Sequence, residues 1–491
     1  MELHYIKPDL LDRWHPGVGP SAAEVRAILE EGVIKDGTPL FLDAQMRPIE
    51  YLSGWFRHLS MRHRDRKTMR QYAYLIRSLV HFLEQRGTSV LLATEADLTA
   101  FRRSRTELQE EPIDDGTWDR DAGVIDRLYG WLLDNGHVKR RPVRLDGDGR
   151  NPLASGITRG MDIRHFAPDQ YLYFRDVGLG GQLPDATLNL GFRGWYPHRS
   201  RAGLELALLT GMRKQEWSTT LLPELGFFDG YRPTGSTEFD LQACAKYGMH
   251  RVVYAPVAAR AMLSNFFMLE RDEIADTSAR SLARRARDLF VVTDIDHSTG
   301  KLTGTYQGRR RVFVMQAMDP EMRRVTVFER DGGGLEAMAI FIGHGGLMIG
   351  PSSWDAIRKD AWTRMTEHAG HPSAPQLPRK VWRFHDARHT FALQLLRHLK
   401  FRQFEQRREL EAGAAISPID ILDLAAITLV QKRLGHKHLS STYHYVRYMD
   451  DPMKYVDDAF RQWTQHDGAT YTEIAAKAMT LGLEASHAPA R

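Results

Sequence analysis

The 491-residue sequence predicts a multidomain protein, mainly α-helical with small antiparallel β-sheets, in which a helical N-terminal domain precedes a larger mixed α/β domain. Three observations carry that expectation. Apolar residues recur at helical spacing along Tyr72, Ile76, Leu79 and Leu83, and again along Ile125, Leu128, Trp131 and Leu132, one stripe to each helix. A Pro-, Gly- and Arg-rich stretch follows at 139–160, with the composition of a linker. Beyond it, helical runs give way to short β-branched and aromatic segments bounded by Gly and charged turns, such as Leu289-Phe290-Val291-Val292, Arg311-Val312-Phe313-Val314-Met315 and Val325-Thr326-Val327-Phe328.

Taken in order, residues 1–44 read as an N-terminal extension, irregular apart from one helix over Ala22–Glu31. Residues 45–140 read as a small helical bundle. Between its first two helices lies a dense basic run that includes Arg57, Arg62, Arg64, Arg66, Lys67 and Arg70. Such a run is ordinarily a solvated face, and it becomes a phosphate-backbone contact where other residues handle phosphate. The linker is placed at 141–164 and the second domain at 165–450, with a β-rich stretch at about 271–348. A tail, 451–491, contains an amphipathic helical pattern through Tyr455, Phe460 and Trp463. No internal repeat or long low-complexity tract interrupts the chain.

Composition narrows the class without naming it. Lys and Arg number 67 against 62 Asp and Glu, a formal charge of +5, so local clustering of charge matters more than the total. Cys244 is the single cysteine, which excludes an intramolecular disulfide framework and suits a reducing compartment. The first eight residues hold no apolar signal region, and no run approaches the roughly 20 apolar residues of a membrane span, so the expectation is a cytoplasmic protein with no membrane partner.

The chemistry concentrates in the second domain. His385-Asp386-Ala387-Arg388-His389 opens a helical pattern that continues through Phe391, Leu393, Leu395 and Leu396, and its spacing puts His385, Arg388 and His389 on neighbouring positions of one face. Leu429 to Leu434 reads as another helix stopped by Gly435. His436 follows, then the start signals Ser440-Ser441-Thr442, then Tyr445 nine residues past that histidine. Much earlier, Leu204-Glu205-Leu206-Ala207-Leu208-Leu209 leads into Thr210-Gly211-Met212-Arg213-Lys214-Gln215-Glu216-Trp217. A short hairpin pattern follows, Leu241 to Gly248 and Arg251 to Pro256, with Lys246 near its tip. An oxygen nucleophile among fixed cations is what phosphodiester transfer requires.

In their order and spacing these five segments resemble the tyrosine recombinase (phage integrase) family, whose signature joins an early Arg turn, a hairpin lysine, His-x-x-Arg-His, Leu-Gly-His and a nucleophilic Tyr. The resemblance covers roughly residues 45–450. It implies a helical core-binding (SAM-like) domain and a mixed α/β catalytic domain, to which 271–348 would be an insertion. It implies a site-specific recombinase that cleaves and rejoins double-stranded DNA through a 3′-phosphotyrosine, with no cofactor, metal or ATP, because the bond energy stays in the ester.

The roles follow position by position. By that resemblance Tyr445, not Tyr443, would be the nucleophile, Arg213 and Arg388 would grip the phosphate oxygens, and Lys246 would protonate the leaving 5′-oxygen. On the same resemblance His385 would accept or steer the tyrosine proton, His436 would donate to a phosphate oxygen, and Glu216 would be a buried support. Expected partners are DNA recombination sites, further copies in a DNA-bound tetramer joined through the tail, and DNA-bending or directionality factors. The expected setting is nucleoid-associated, in the integration or excision of a mobile genetic element.

Other readings stand beside this one. A type IB topoisomerase would use nearly the same chemistry, and a catalytically silent DNA-binding protein could keep the same scaffold. A zinc cluster of His385, His389, His436, His438 and His444 is disfavoured by the arginines among them and the lack of acidic or cysteine ligands. Lys246 and Arg251 are also what a solvated edge strand carries. Arg309-Arg310-Arg311 and Arg323-Arg324 stay open between DNA contacts and edge-strand charges.

Overall fold

The computed structural model describes residues 1–13, 19–32, 34–62, 66–147, 149, 151–155, 162–228, 235–378, 380–412 and 426–449. The chain divides into two compact units, Met1–Gly160 and Met161–Arg491. Mainly helical with small sheets, it has the class the sequence predicts. Among the described residues no helix is long and apolar enough to cross a membrane.

In the first unit β1 (Glu2–Tyr5) pairs antiparallel with β2 (Pro39–Leu42), and α1 (Ala22–Glu31) lies between them in sequence. Four further helices follow: α2 (Glu50–Met61), α3 (Arg66–Gln85), α4 (Glu95–Arg103) and α5 (Asp115–Asp134). Their apolar stripes meet in one core around Trp55, Phe56, Ile76, Leu79, Leu83, Trp118, Ile125 and Leu128. The stretch before residue 45 is more than an extension. Phe41 on β2 is fully buried and stacks on Phe56 at 5.5 Å, and the Ser60 hydroxyl of α2 accepts the Lys35 amide at 3.1 Å. Part of the expected linker is also packed here, because Leu153 is buried in this core and its carbonyl accepts the Trp118 indole N–H at 2.6 Å. Both corrections have one cause: isolated apolar residues in a polar, periodicity-free stretch carry no pattern until a partner is known.

The second unit begins with α6 (Pro168–Tyr173), α7 (Pro197–Thr210) and α8 (Lys214–Ser218), then the antiparallel hairpin β3 (Thr237–Leu241) and β4 (Arg251–Ala255). α9 (Val257–Phe266) runs through a π-turn into α10 (Asp272–Ala283). The stretch 290–337 contributes β5 (Phe290–Asp296), β6 (Lys301–Tyr306), β7 (Arg309–Val314), α11 (Pro320–Arg324), β8 (Thr326–Glu329) and β9 (Leu335–Ala337). Its five strands form one sheet in the order β7-β6-β5-β8-β9. The sheet is mixed, not purely antiparallel: β5 and β8 run parallel because the chain returns from β7 through α11 before entering β8.

The remaining helices among the described residues are α12 (Pro351–Glu367), α13 (Phe384–Glu411), α14 (Ala426–Leu434) and α15 (Ser440–Met449). α7 is enclosed along most of its length, its polar Arg199, Ser200, Glu205 and Thr210 buried together with Ala202, Leu204, Leu206 and Ala207. The core beside it is aromatic: Trp217 meets Trp354, Phe384 and Phe341 edge-on at 4.6, 5.3 and 5.6 Å. Such pairs add about 0.5–1.5 kcal/mol each beyond their buried area. This packing seats α8, and with it the Arg213 turn, against the first turns of α13. The tail and its expected exchange helix lie outside the described residues.

Candidate active site

The site forms where the end of α7, the start of α13, the end of α14 and the middle of α15 come together. α7 stops at Gly211, whose backbone is left-handed at φ +65°, and a Cβ there would sit 2.4 Å from the Phe391 ring. The turn sends Arg213 into the N-cap position of α8. Glu216, one turn on, accepts the Arg213 amide at 2.7 Å and its guanidinium at 2.9 Å.

Glu216 is 1% exposed and holds a second guanidinium: Arg251 of β4 donates to it at 2.5 Å and to the Arg433 carbonyl at the end of α14 at 2.6 Å. Burial favours the neutral acid, yet Arg251, Arg213 and Arg388 outweigh it and hold the carboxyl below its usual range. Arg251 is therefore no edge-strand charge. Gly435 leaves room for it, since φ is +60° and a Cβ would meet the Arg251 side chain at 2.6 Å. Replacing Glu216 with Gln strands these guanidiniums beside a neutral group, and breaking a buried pair this way is expected to cost about 3–5 kcal/mol. Urea unfolding checks it; a loss below about 1 kcal/mol would mean that Glu216 holds nothing together.

Arg388 is also 1% exposed and acts as a cross-brace, donating to the Gly211 carbonyl and to the Leu434 carbonyl at 2.5 Å each. Burial and the nearby Arg213 push its pKa down to about 9, so it stays cationic at neutral pH. Tyr445 is 1% exposed, in a small core with Ala392, Leu393, Leu396, Val430 and Leu434. Its hydroxyl lies 2.9 Å from Nδ1 of His389. Burial raises the Tyr445 pKa, opposed by Arg388 and Arg213. With the imidazole proton on Nε2, Nδ1 accepts the phenolic hydrogen.

The tyrosine's partner is thus His389 and not His385, to which the sequence reading gave that role. His385 is open to solvent and packs edge-on against His389 at 4.8 Å. His436 lies parallel to the Tyr445 ring at 6.1 Å, with its Nδ1 2.9 Å from the buried Thr442 hydroxyl. Although one edge of His385 meets solvent, the protein crowded around its ring displaces water, and this desolvation, then the nearby Arg388 and Arg213, lowers its pKa to about 4; burial first, then neighbouring cations and imidazoles, lowers those of His389 and His436 to about 3. All three are neutral at pH 7, and with Arg388 among them the cluster is a poor cation site. Because an unfolded histidine titrates near 6.5, acid protonates the unfolded chain first. Stability should therefore fall as pH drops from about 6.5 toward 3. Urea midpoints at pH 7 and 4.5 check this, with His389→Gln giving the flatter profile; parallel profiles would refute it.

Lys246 begins the short turn Lys246–Gly248 between β3 and β4, where it is exposed. The first hairpin strand is Thr237–Leu241, so the connection at 242–250 is longer than the sequence pattern suggests. Of the six proposed catalytic residues, Arg213, His385, Arg388, His436 and Tyr445 converge, and Lys246 stands on the neighbouring hairpin.

In the other unit Arg57, Arg62, Lys67 and Arg70 are exposed on α2, α3 and the turn between them. Arg66 is tied to Asp36 at 2.7 Å, and Arg70 lies over the rings of Tyr74 and Tyr5 at 5.7 and 6.0 Å. Arg64 lies outside the described residues.

No protein-family model and no curated protein matches the sequence. Among solved structures, the chain is similar to the XerH site-specific recombinase bound to palindromic difH substrate in a post-cleavage complex, at TM-score 0.44 and 11% identity over 93% of each chain. It is also similar to a lambda integrase dimer bound to a COC′ core site, at TM-score 0.43 and 12% identity over 81% of this chain and 94% of that one. A third is the Tn1549 transposon integrase in complex with circular intermediate DNA, at TM-score 0.42 and 13% identity over 81% and 94%.

Proposed function

We propose that this chain is a site-specific DNA recombinase that cleaves and rejoins DNA through a 3′-phosphotyrosine intermediate, in the integration or excision of a mobile genetic element. The observation that carries this reading is the surrounding of Tyr445: a phenol hydrogen-bonded to a neutral imidazole and held beside the guanidiniums of Arg388 and Arg213.

A phenol with an ordinary pKa of about 10 needs a base as it attacks. Tyr445 Oη forms a bond to phosphorus, its proton passes to His389 Nδ1, and the P–O5′ bond breaks. The guanidiniums of Arg388 and Arg213 stabilise the charge gathering on the non-bridging oxygens, with His436 as a further donor. Lys246, exposed on its turn, gives the departing 5′-oxygen its proton. Reversal by a different 5′-hydroxyl rejoins the strand without an outside energy source. Since Tyr445 is enclosed, α15 has to shift for the phenol to meet a phosphate.

The exposed arginines and lysine of α2 and α3 take backbone phosphates in this reading, and several copies assemble on the paired sites as a tetramer. Type IB relaxation is the rival, sharing the cleavage step. The test is metal-free incubation with nicked duplexes taken from the ends of the encoding element. A nick beside the cut lets the leaving fragment diffuse away and traps the ester as a detergent-resistant adduct. Adducts confined to those ends support the recombinase, and relaxation of plasmids of arbitrary sequence supports the rival.

A further inference from the structure

The β-rich stretch is joined to the site at one end and carries cations at the other. Its junction is built on Arg323, a fully buried side chain whose guanidinium makes a two-pronged pair with Glu224 at 2.7 Å on each prong. The same guanidinium donates to the carbonyls of Met315 at 2.7 Å, Met318 at 3.2 Å and Thr219, just after α8, at 3.1 Å. That fixes the turn leaving β7. From this turn the Gln316 carbonyl accepts the Ala243 amide at 2.8 Å and the Met318 carbonyl faces the Cys244 thiol at 3.6 Å, so both contacts fall on the connection carrying Lys246.

β7 leaves that anchor as the outermost described strand of its sheet, with β6 on one side and, among the described residues, no strand on the other. Arg309, Arg310, Arg311 and Val312 are exposed, so among the described residues nothing covers either face of the sheet at this end. None of the three arginines pairs with a carboxylate among the described residues. The nearest acids on the same sheet, Asp294 and Asp296, are across β6 on β5, and Asp296 is engaged by Ser298 and Thr299. From Val314 to Arg309 the strand extends about 17 Å at ~3.3 Å per residue, the rise of about five base pairs at ~3.4 Å each.

We propose that β7 is a DNA-contacting arm, anchored beside the Lys246 turn, whose Arg309, Arg310 and Arg311 take phosphate oxygens of the duplex flanking the scissile phosphate. The inference rests on the reading that this chain acts on duplex DNA. Guanidiniums suit phosphate because their forked donors match its oxygens. Alternation along the strand puts Arg309 and Arg311 on one face and Arg310 on the other, so the edge presents cations to both sides of a groove. The bland alternative is that the charges keep an open strand edge from pairing with another chain.

The experiment measures binding of the full chain to an element-end duplex across a range of salt, with a long flank and with the flank trimmed close to the cut. Two variants are compared: one with Arg309→Gln, Arg310→Gln and Arg311→Gln, and one with Lys at all three positions. On the long duplex the Gln variant should lower the slope of log K against log salt by about 2–3, since each lost phosphate contact removes about 0.9. The Lys variant should keep the slope, and on the trimmed duplex the Gln variant and wild type should bind alike. An unchanged slope on the long duplex overturns the arm, and self-association of the Gln variant alongside it would assign the arginines to edge protection. If the wild type itself shows no salt-dependent duplex binding, the reading beneath the inference fails with it, a result distinct from a binding wild type and an indifferent variant.

Discussion

The Tyr445→Phe variant is expected to form no covalent adduct with nicked duplex while keeping its fold and its affinity for DNA. The substitution removes one oxygen from a ring that stays enclosed by Leu393, Leu396, Val430 and Leu434. It leaves His389 Nδ1 without its partner, and an unsatisfied buried acceptor costs about 1–3 kcal/mol. Urea unfolding would register that loss, which a chain of this size tolerates. Cleavage has no such tolerance, because no other atom at that place can form the ester. An adduct of undiminished yield in the variant would sink the assignment. Attention would then move to Tyr443 and Tyr448 on the same helix, 49% and 44% exposed, and Tyr443→Phe is the control to run beside it.

The segments that converge were legible because each is short and local: a helix end with Gly211 and Arg213, a helix start with His385 and Arg388, a Gly435 cap before His436. Spacing on one element is written directly in the sequence. What holds those pieces together was not, since Arg251 reaches across from a hairpin to Glu216 and to the Arg433 carbonyl. A signal did exist, because alternation along β4 puts Arg251 on the face of Val253 and Ala255, both buried. An arginine in register with apolar residues has to find a buried acid.

His389 could have been found in the same way. It stands four and seven residues before Leu393 and Leu396, which places it on the buried stripe of α13 and leaves His385 nearer its solvent side. The β1–β2 pair was harder, because strands of four residues separated by more than thirty positions show no period long enough to recognise, and only Phe41 against Phe56 reveals why they lie there. The mixed order of the five-stranded sheet likewise depends on a crossover that no single segment announces.

Exchanging Arg388 for Lys should lower the rate of single-turnover cleavage by about 10² to 10³, the usual cost of losing one preorganised donor to a developing oxyanion, with far less effect on DNA binding. The reason lies in how this guanidinium is held. Its two terminal nitrogens are fixed on the carbonyls of Gly211 and Leu434, so one planar group ties the turn that aims Arg213 to the helix end that precedes His436. A guanidinium has five donors, and using two on the backbone leaves others in a fixed plane for phosphate. An ammonium has three donors on a single nitrogen at the end of a flexible stem. It cannot span both carbonyls and also face the oxygens, and burial favours its neutral form far more readily than that of a guanidinium. Arg213→Lys is the instructive comparison, because Arg213 is 21% exposed and held through Glu216, so a lysine there keeps its charge and part of its geometry. If Arg388→Lys cleaved at the wild-type rate, the brace would be structural only and the phosphate grip would fall to Arg213. If both variants lost rate and Arg388→Lys lost the more, transition-state stabilisation would be assigned chiefly to the buried guanidinium.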